Sequence, residues 1–169
     1  MTPKRLIFDA HHHLWALDTL RYPWLTAKGV KRFFGDPTPI QKDYLASAFI
    51  ADAASFDLVG STHIQVGVAD EDAVAETAWL QKTAESGAGL PSAIVGFADL
   101  TRDDLAMMLD AHCQHRRFRG VRQIIGRHPV EDQATKSGDL LDHPDFVRGL
   151  RMLESWGLRF DLQLVEAQY

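Results

Sequence analysis

The 169-residue chain has a formal net charge of −5, with 46% hydrophobic and 24% charged residues, which is typical of a globular domain and unlike a disordered chain. This mild acidity argues against a nucleic-acid-binding protein, and the single cysteine, Cys113, excludes an internally disulfide-bonded scaffold. No segment has the apolar run of a signal peptide or a membrane span, so we expect one cytoplasmic domain without membrane association.

Strand and helix patterns alternate along the chain. A short strand over Arg5 to Asp9 precedes an irregular, aromatic-rich segment over residues 14 to 39, and a polar loop is predicted between residues 126 and 141. The remaining predicted strands are Val59 to Val68, Ala93 to Ala98, Arg119 to Ile125 and Arg159 to Val165. The predicted helices are Ile40 to Ala54, Asp70 to Ser86, Thr101 to about His115, and Pro144 to the residues before Gly157. Apolar strands separated by helices indicate an α/β fold with a parallel sheet and outer helices.

Two architectures fit this pattern. One is a complete five-stranded open α/β sheet, and the other is part of an eight-stranded (β/α)8 barrel. Barrels typically need about 250 residues, so length alone favours the open sheet.

A histidine cluster follows the first predicted strand, in the sequence Asp9-Ala10-His11-His12-His13. Alternate residues of a strand share a face, so His11 and His13 are predicted to point the same way and His12 elsewhere. Two imidazoles at the carboxyl end of a parallel strand suit a metal such as zinc, or they bind and polarise a carbonyl without metal.

Other polar and aromatic residues are candidates for ligand contact. Arg122 ends an apolar strand, where it would clamp a carboxylate or lactone oxygen, or else form a structural ion pair with Asp99 or Asp161. An apolar wall for a ligand ring is predicted from Trp15, Tyr22 and Trp24, with a simple cover over the sheet as the alternative. Gln163 on the fifth strand is a candidate donor to a substrate hydroxyl, or an interior polar residue.

Several segments resemble the amidohydrolase superfamily in their order along the chain. The segment Asp9 to Trp15 resembles its strand-one signature, whose His-x-His pair maps to His11 and His13. The later matches are Tyr22-Pro23-Trp24-Leu25, His63-Ile64-Gln65-Val66, Glu76-Thr77-Ala78-Trp79-Leu80, Gly96-Phe97-Ala98-Asp99-Leu100, Gly120-Val121-Arg122-Gln123 and Phe160-Asp161-Leu162-Gln163. The group is similar to fuconolactonase, rhamnonolactonase and 2-pyrone-4,6-dicarboxylate lactonase.

The resemblance implies that residues 1–169 are the N-terminal part of a single (β/α)8 barrel, comprising about five βα units with strands six to eight absent. It implies a hydrolase of a small sugar lactone or related carboxylate-bearing lactone, with His11 and His13 as catalytic residues. Both histidines would hold a divalent metal, with zinc as the expected ion, or act on the carbonyl without metal. Substrate contacts are assigned to Arg122, Trp24 and Gln163, and the general base to an aspartate of strand eight.

A different class of function is also open. The chain would then be a stand-alone five-stranded module that binds a ligand or metal without turnover. Unpaired strand edges would favour a fragment that self-associates or forms a homo-oligomer, and covered edges would favour the module. The histidines of His112-Cys113-Gln114-His115 are interpreted as cations at a helix C-terminus and not as a metal cluster. His128 is predicted to be a solvated loop residue.

Overall fold

The computed structural model describes residues 4–30, 32, 34–127 and 129–168. Its five strands form one parallel sheet in the order β1-β2-β3-β4-β5. The strands are β1 (Leu6–His12), β2 (Asp57–Ile64), β3 (Ala93–Gly96), β4 (Phe118–Val121) and β5 (Arg159–Phe160). The helices are α1 (Pro23–Thr26), α2 (Ala46–Asp52), α3 (Ala73–Ser86), α4 (Leu105–Cys113), α5 (Pro129–Thr135) and α6 (Pro144–Ser155). Short 3-10 turns cover Thr38–Ile40, Asp70–Asp72, Ser137–Asp142 and Glu166–Gln168.

The strand order distinguishes the two predicted architectures. In an open doubly wound sheet the order reverses at a switch point, which places helices on both faces. Here each new strand joins on the same side of the previous one, and right-handed crossovers then place every connecting helix on one face. The fold is therefore a partial (β/α)8 barrel, as the resemblance implied.

Apolar packing joins the helices to the outer face of this sheet. The largest cluster lies between α4, α6 and the later strands, and its fully buried members include Leu105, Leu109 and Val121. A second cluster joins α2 and α3 to the first strands through Phe49, Leu80 and Ile94 and nearby residues. These contacts fix the helical shell, and the shell orients the strand ends that carry the site.

The inner face of the sheet is much more open. Leu58 packs on the helical side, so Val59 points inward, and Leu6 and Phe8 share that inner face by strand periodicity. These three side chains are 62%, 70% and 53% exposed, respectively. Within the described residues, β1 pairs only with β2 and β5 only with β4, so both outer strands present an open edge.

Several local expectations need correction. The segment predicted as a polar loop contains α5, which begins at a proline in a position suited to a first helical turn. The helices predicted to begin at Asp70 and Thr101 begin later, α3 at Ala73 and α4 at Leu105. The predicted strands after β1 are longer than the observed ones, because apolar residues continue past the last ladder hydrogen bonds. His128 lies outside the described residues.

Within the described part of the chain, no helix combines the length and apolarity needed to cross a membrane.

Candidate active site at the carboxyl ends of the strands

The two histidines of the β1 signature converge. The Nε2 atoms of His11 and His13 are 3.3 Å apart, and the rings meet edge to face with centroids 5.0 Å apart. The register between β1 and β2 shifts between Asp9 and His12, and the His11 backbone N–H donates to Asp9 Oδ1 at 2.9 Å. This irregularity at the end of β1 brings the Nε2 atoms of His11 and His13 together at the carboxyl end of the sheet.

The tautomer of His13 is fixed by a neighbouring strand. Its Nδ1–H donates to the carbonyl oxygen of Ile64 at 2.7 Å, which leaves Nε2 with a free lone pair. Burial lowers the pKa of His13 to about 4, and the Arg122 and His11 charges lower it further, against the Ile64 hydrogen bond and Asp161. His13 is therefore neutral at pH 7 and able to ligate a cation or accept a hydrogen bond.

Arg122 follows β4 and is buried, with 6% of its surface exposed. One Nη atom donates to the Gln65 carbonyl, and the other donates to Gln163 Oε1 at 3.3 Å. Burial lowers the pKa of Arg122, whereas Asp161 and Glu76 raise it. Among the described residues Arg122 makes no ion pair, so the predicted alternative of a salt bridge with Asp99 or Asp161 is wrong.

The aromatic segment packs beside these groups. The Trp24 Nε1–H donates to the Val66 carbonyl at 2.5 Å, and the indole is half-buried. Gly67 has a φ of +78°, and a Cβ there would lie 2.9 Å from Trp24 Cδ1, so glycine allows this close approach. Tyr22 is only 1% exposed and belongs to the core, so of the three residues predicted as an apolar wall only Trp15 and Trp24 have open surface.

Two further histidines lie behind the pair and were not singled out from the sequence. His12 stacks on Phe49 at 4.1 Å and its Nε2 contacts Ser61 Oγ at 3.0 Å, while the fully buried His63 donates from Nε2 to the Leu14 carbonyl at 3.2 Å. Burial lowers the pKa of His12 to about 4 and that of His63 well below its usual value. Both are neutral structural residues that support the strand ends.

A buried carboxyl was also missed. Glu76 on α3 is fully buried, and burial raises its pKa to about 8 against the Val66 backbone N–H and Arg122, so it is protonated at pH 7. The signal was readable in the sequence, because Glu76 lies three residues after Ala73 and four before Leu80, on the apolar face of the helix.

The histidine cluster on α4 has a different explanation from the one predicted. His112 is fully buried, and its Nε2–H donates to the Phe97 carbonyl at 3.0 Å while Nδ1 accepts from Thr77 Oγ1 at 2.9 Å. Burial lowers the pKa of His112 to about 4, so it is neutral. It joins α3 and α4 to β3, and the interpretation as a cation at the helix end is wrong for this residue.

The fit of the His11 and His13 pair to a metal follows from its geometry. Zinc–nitrogen bonds of about 2.0–2.1 Å at a tetrahedral angle place two nitrogens roughly 3.3 Å apart. The observed separation of the two Nε2 atoms matches this spacing. No group of three or more metal-binding side chains is assembled within the described part of the chain. The pair therefore fits as two ligands of an incomplete metal site.

Comparison with known proteins places this arrangement in context. No protein-family model matches the chain. An uncharacterized protein of Sinorhizobium fredii is 41% identical over 160 residues, which are 94% of this chain and 53% of that protein. An amidohydrolase from Burkholderia multivorans, solved with bound zinc, is 27% identical with a TM-score of 0.69 over 96% of this chain and 50% of that one. The chain is an amidohydrolase-like half-barrel.

More distant structures share the fold of this half-barrel. A probable 2-pyrone-4,6-dicarboxylic acid hydrolase from Acinetobacter baumannii, with citric acid bound, is 12% identical with a TM-score of 0.52 over 94% of this chain and 48% of that one. The half-barrel spans about half the length of the relatives it matches.

Proposed function

We propose that this half-barrel is the N-terminal part of a single-domain barrel hydrolase that opens a small sugar lactone or related carboxylate-bearing lactone. The observation that carries the proposal is the meeting of His11 and His13 Nε2 atoms at the carboxyl end of β1, electrostatically coupled to the buried Arg122. Active sites of (β/α)8 enzymes lie at this end of the barrel. The resemblance to a Burkholderia multivorans amidohydrolase supports hydrolysis as the class of reaction.

The described side chains divide the work of binding and catalysis. Lactone hydrolysis requires water to attack the ester carbonyl and the oxygen to be stabilised as negative charge develops. The Nε2 atoms of His11 and His13 meet at one point, where the two rings bind the reacting carbonyl or the attacking water. Arg122 binds a substrate carboxylate or ring oxygen, Gln163 a hydroxyl group, and Trp24 the apolar side of the ring.

The same two histidines would hold a divalent metal, with zinc the best match to their spacing. A bound metal would supply Lewis acidity and lower the pKa of a water molecule. His13 suits either role, because its Nδ1–H donates to the Ile64 carbonyl and its Nε2 lone pair faces His11 Nε2.

The rest of the barrel is part of the proposal. The open edges of β1 and β5 and the exposed inner face would be covered by three further βα units. The general base would come from the eighth strand. A stand-alone binding module is disfavoured, since such a module would cover its sheet edges.

The test is a lactone panel assayed by proton release with the intact protein. His11→Ala and His13→Ala are each expected to lower kcat/KM by at least ~100-fold, while His115→Ala, two residues after the end of α4, serves as the matched control. Metal analysis of the same samples addresses the cofactor separately. Full turnover in both active-site variants would remove the assigned roles.

A further inference from the structure

The pairing of β1 with β2 continues through side chains past the end of the backbone ladder. The last backbone pair is His12 with His63. Beyond it, the His13 Nδ1–H donates to the Ile64 carbonyl at 2.7 Å. In the opposite direction, the His63 Nε2–H donates to the Leu14 carbonyl at 3.2 Å. Each strand therefore supplies one imidazole to the backbone of the other, and His13 lies inside this exchange.

The peptide group between Leu14 and Trp15 is held on both sides. Its carbonyl accepts from His63, and its N–H donates to the Tyr44 carbonyl at 3.0 Å. The Tyr44 N–H donates back to the Trp15 carbonyl at 3.0 Å. The backbone that follows His13 is thus fixed between β2 and the segment before α2, and His63 supplies the contact on the β2 side.

Packing alone does not account for a histidine at position 63. The side chain of His63 is fully buried, and its Nδ1 has no hydrogen-bond partner among the described residues. Burial of a polar ring with one unsatisfied nitrogen costs folding free energy, and an apolar side chain of similar size would avoid that cost. What the imidazole adds over an apolar side chain is the Nε2–H donor directed at the Leu14 carbonyl.

We propose that His63 is a positioning residue for His13, which holds the Leu14 carbonyl and thereby the direction of the His13 ring. This inference rests on the proposed function, because His13 is one of the two groups assigned to the reacting carbonyl or the metal. The Nε2 atoms of His11 and His13 lie 3.3 Å apart. Reaction at such a pair depends on placement, since a misplacement of about 1 Å costs on the order of 100-fold in rate.

The kinetic experiment compares two substitutions at position 63 in the intact protein. His63→Leu removes the donor and keeps an apolar side chain, so we expect kcat for a lactone to fall at least ~10-fold while KM stays within about twofold. The effect falls on kcat because, within the described structure, the only hydrogen bond of the His63 side chain is to Leu14. His63→Gln keeps an N–H donor near the position of Nε2 and should bring kcat back to within about threefold of the wild type.

His112 provides the matched control. It is also fully buried, and its Nε2–H donates to the Phe97 carbonyl, directly after β3. His112→Leu therefore removes an equivalent buried bond at another strand end and should leave kcat unchanged at a temperature where every variant is folded. Wild-type kcat in His63→Leu, a loss of kcat that His112→Leu shares, or a His63→Gln variant no better than His63→Leu would each overturn the proposal.

Imidazole NMR gives a readout that does not depend on turnover. Long-range ¹H–¹⁵N spectra of the chelator-treated protein distinguish the two neutral tautomers of each ring, with signals assigned through His13→Gln and His63→Gln. We expect His63 to carry its proton on Nε2 and His13 on Nδ1. In His63→Leu the His13 ring should become a mixture of tautomers, whereas His63→Gln and His112→Leu should keep its Nδ1–H form.

The wild type alone already tests the proposal, because a His63 ring protonated on Nδ1 could not donate to Leu14 and would overturn it. The readouts also separate this inference from the proposed function. Full turnover in His13→Ala would contradict the proposed function, while the His13 tautomer in His63→Leu still decides whether His63 holds that ring. A His13 ring unchanged in His63→Leu, in a protein that loses activity in His13→Ala, would refute the positioning role alone.

Discussion

The two ends of β1 differ in what the rest of the sheet supplies to them. At the carboxyl end, His11 and His13 meet at 3.3 Å, and a carbonyl of β2 fixes the His13 ring. At the amino end, Leu6 and Phe8 are 70% and 53% exposed on the inner face. Five βα units are thus enough to orient the two histidines proposed to be catalytic, whereas the apolar inner face stays exposed.

The largest expected effect concerns residues 1–169 without the proposed further βα units. Residues 1–169 alone should self-associate through the edges of β1 and β5 and show at least ~100-fold lower lactonase activity than the intact protein, since one catalytic group is assigned elsewhere. Size-exclusion chromatography and the lactone assay measure the two effects. A monodisperse, active monomer would show that the amino end of β1 needs no further cover.

The second prediction compares the two faces of the sheet directly. Leu109→Ala on the packed helical side should lower the free energy of unfolding of the intact protein by about 2–5 kcal/mol, because it leaves a cavity in the buried cluster. In the 169-residue chain, Phe8→Ser should reduce self-association, since it removes exposed apolar surface. Urea unfolding and analytical ultracentrifugation provide the measurements. An aggregation state that is the same with and without Phe8→Ser would contradict the assignment of Phe8 to the exposed inner face.

The third prediction uses His112, a histidine buried by the helical shell. Its pKa is about 4 in the folded protein against 6.5 for the free side chain, so the unfolded state binds the proton more tightly. Its contribution to stability is complete above pH 6.5 and is lost as the pH falls towards 4, by up to about 3 kcal/mol. The stability difference between wild type and His112→Gln should therefore shrink over this range in urea unfolding. A constant difference would mean that His112 is protonated in the folded state.

The smallest effect is expected at the aromatic segment. Trp24→Phe removes the hydrogen bond to the Val66 carbonyl and should lower the free energy of unfolding by about 1 kcal/mol. If the indole also contacts substrate, KM for a lactone should rise in the same variant while kcat changes little. An unchanged free energy of unfolding and an unchanged KM in Trp24→Phe would contradict both roles of the indole.

Parts of the site were predictable because they follow local periodicity. Alternate residues of a strand share a face, and this rule predicted that His11 and His13 point the same way. The irregular register after Asp9 then brings their ring nitrogens together. Helical spacing likewise puts Ala73, Thr77 and Leu80 on one face of α3, and all three are buried. The same spacing contains Glu76, which went unnoticed because a glutamate near a helix N-terminus is usually a solvated group that favours the dipole.

The sequence by itself determined the alternation of strands and helices, the position of the histidine signature and the resemblance to a barrel hydrolase. These properties depend on neighbouring residues and on the order of short motifs. Tertiary structure decided the sequential strand order, the neutral state of His112 and the hydrogen bonds of Arg122 and Trp24 to the backbone of residues 65 and 66. The Arg122 bond to the Gln65 carbonyl spans 57 positions of the chain, and the Thr77 contact with His112 spans 35. Burial and hydrogen bonding between such distant residues exist only after the helices pack on the sheet, so no local pattern contains them.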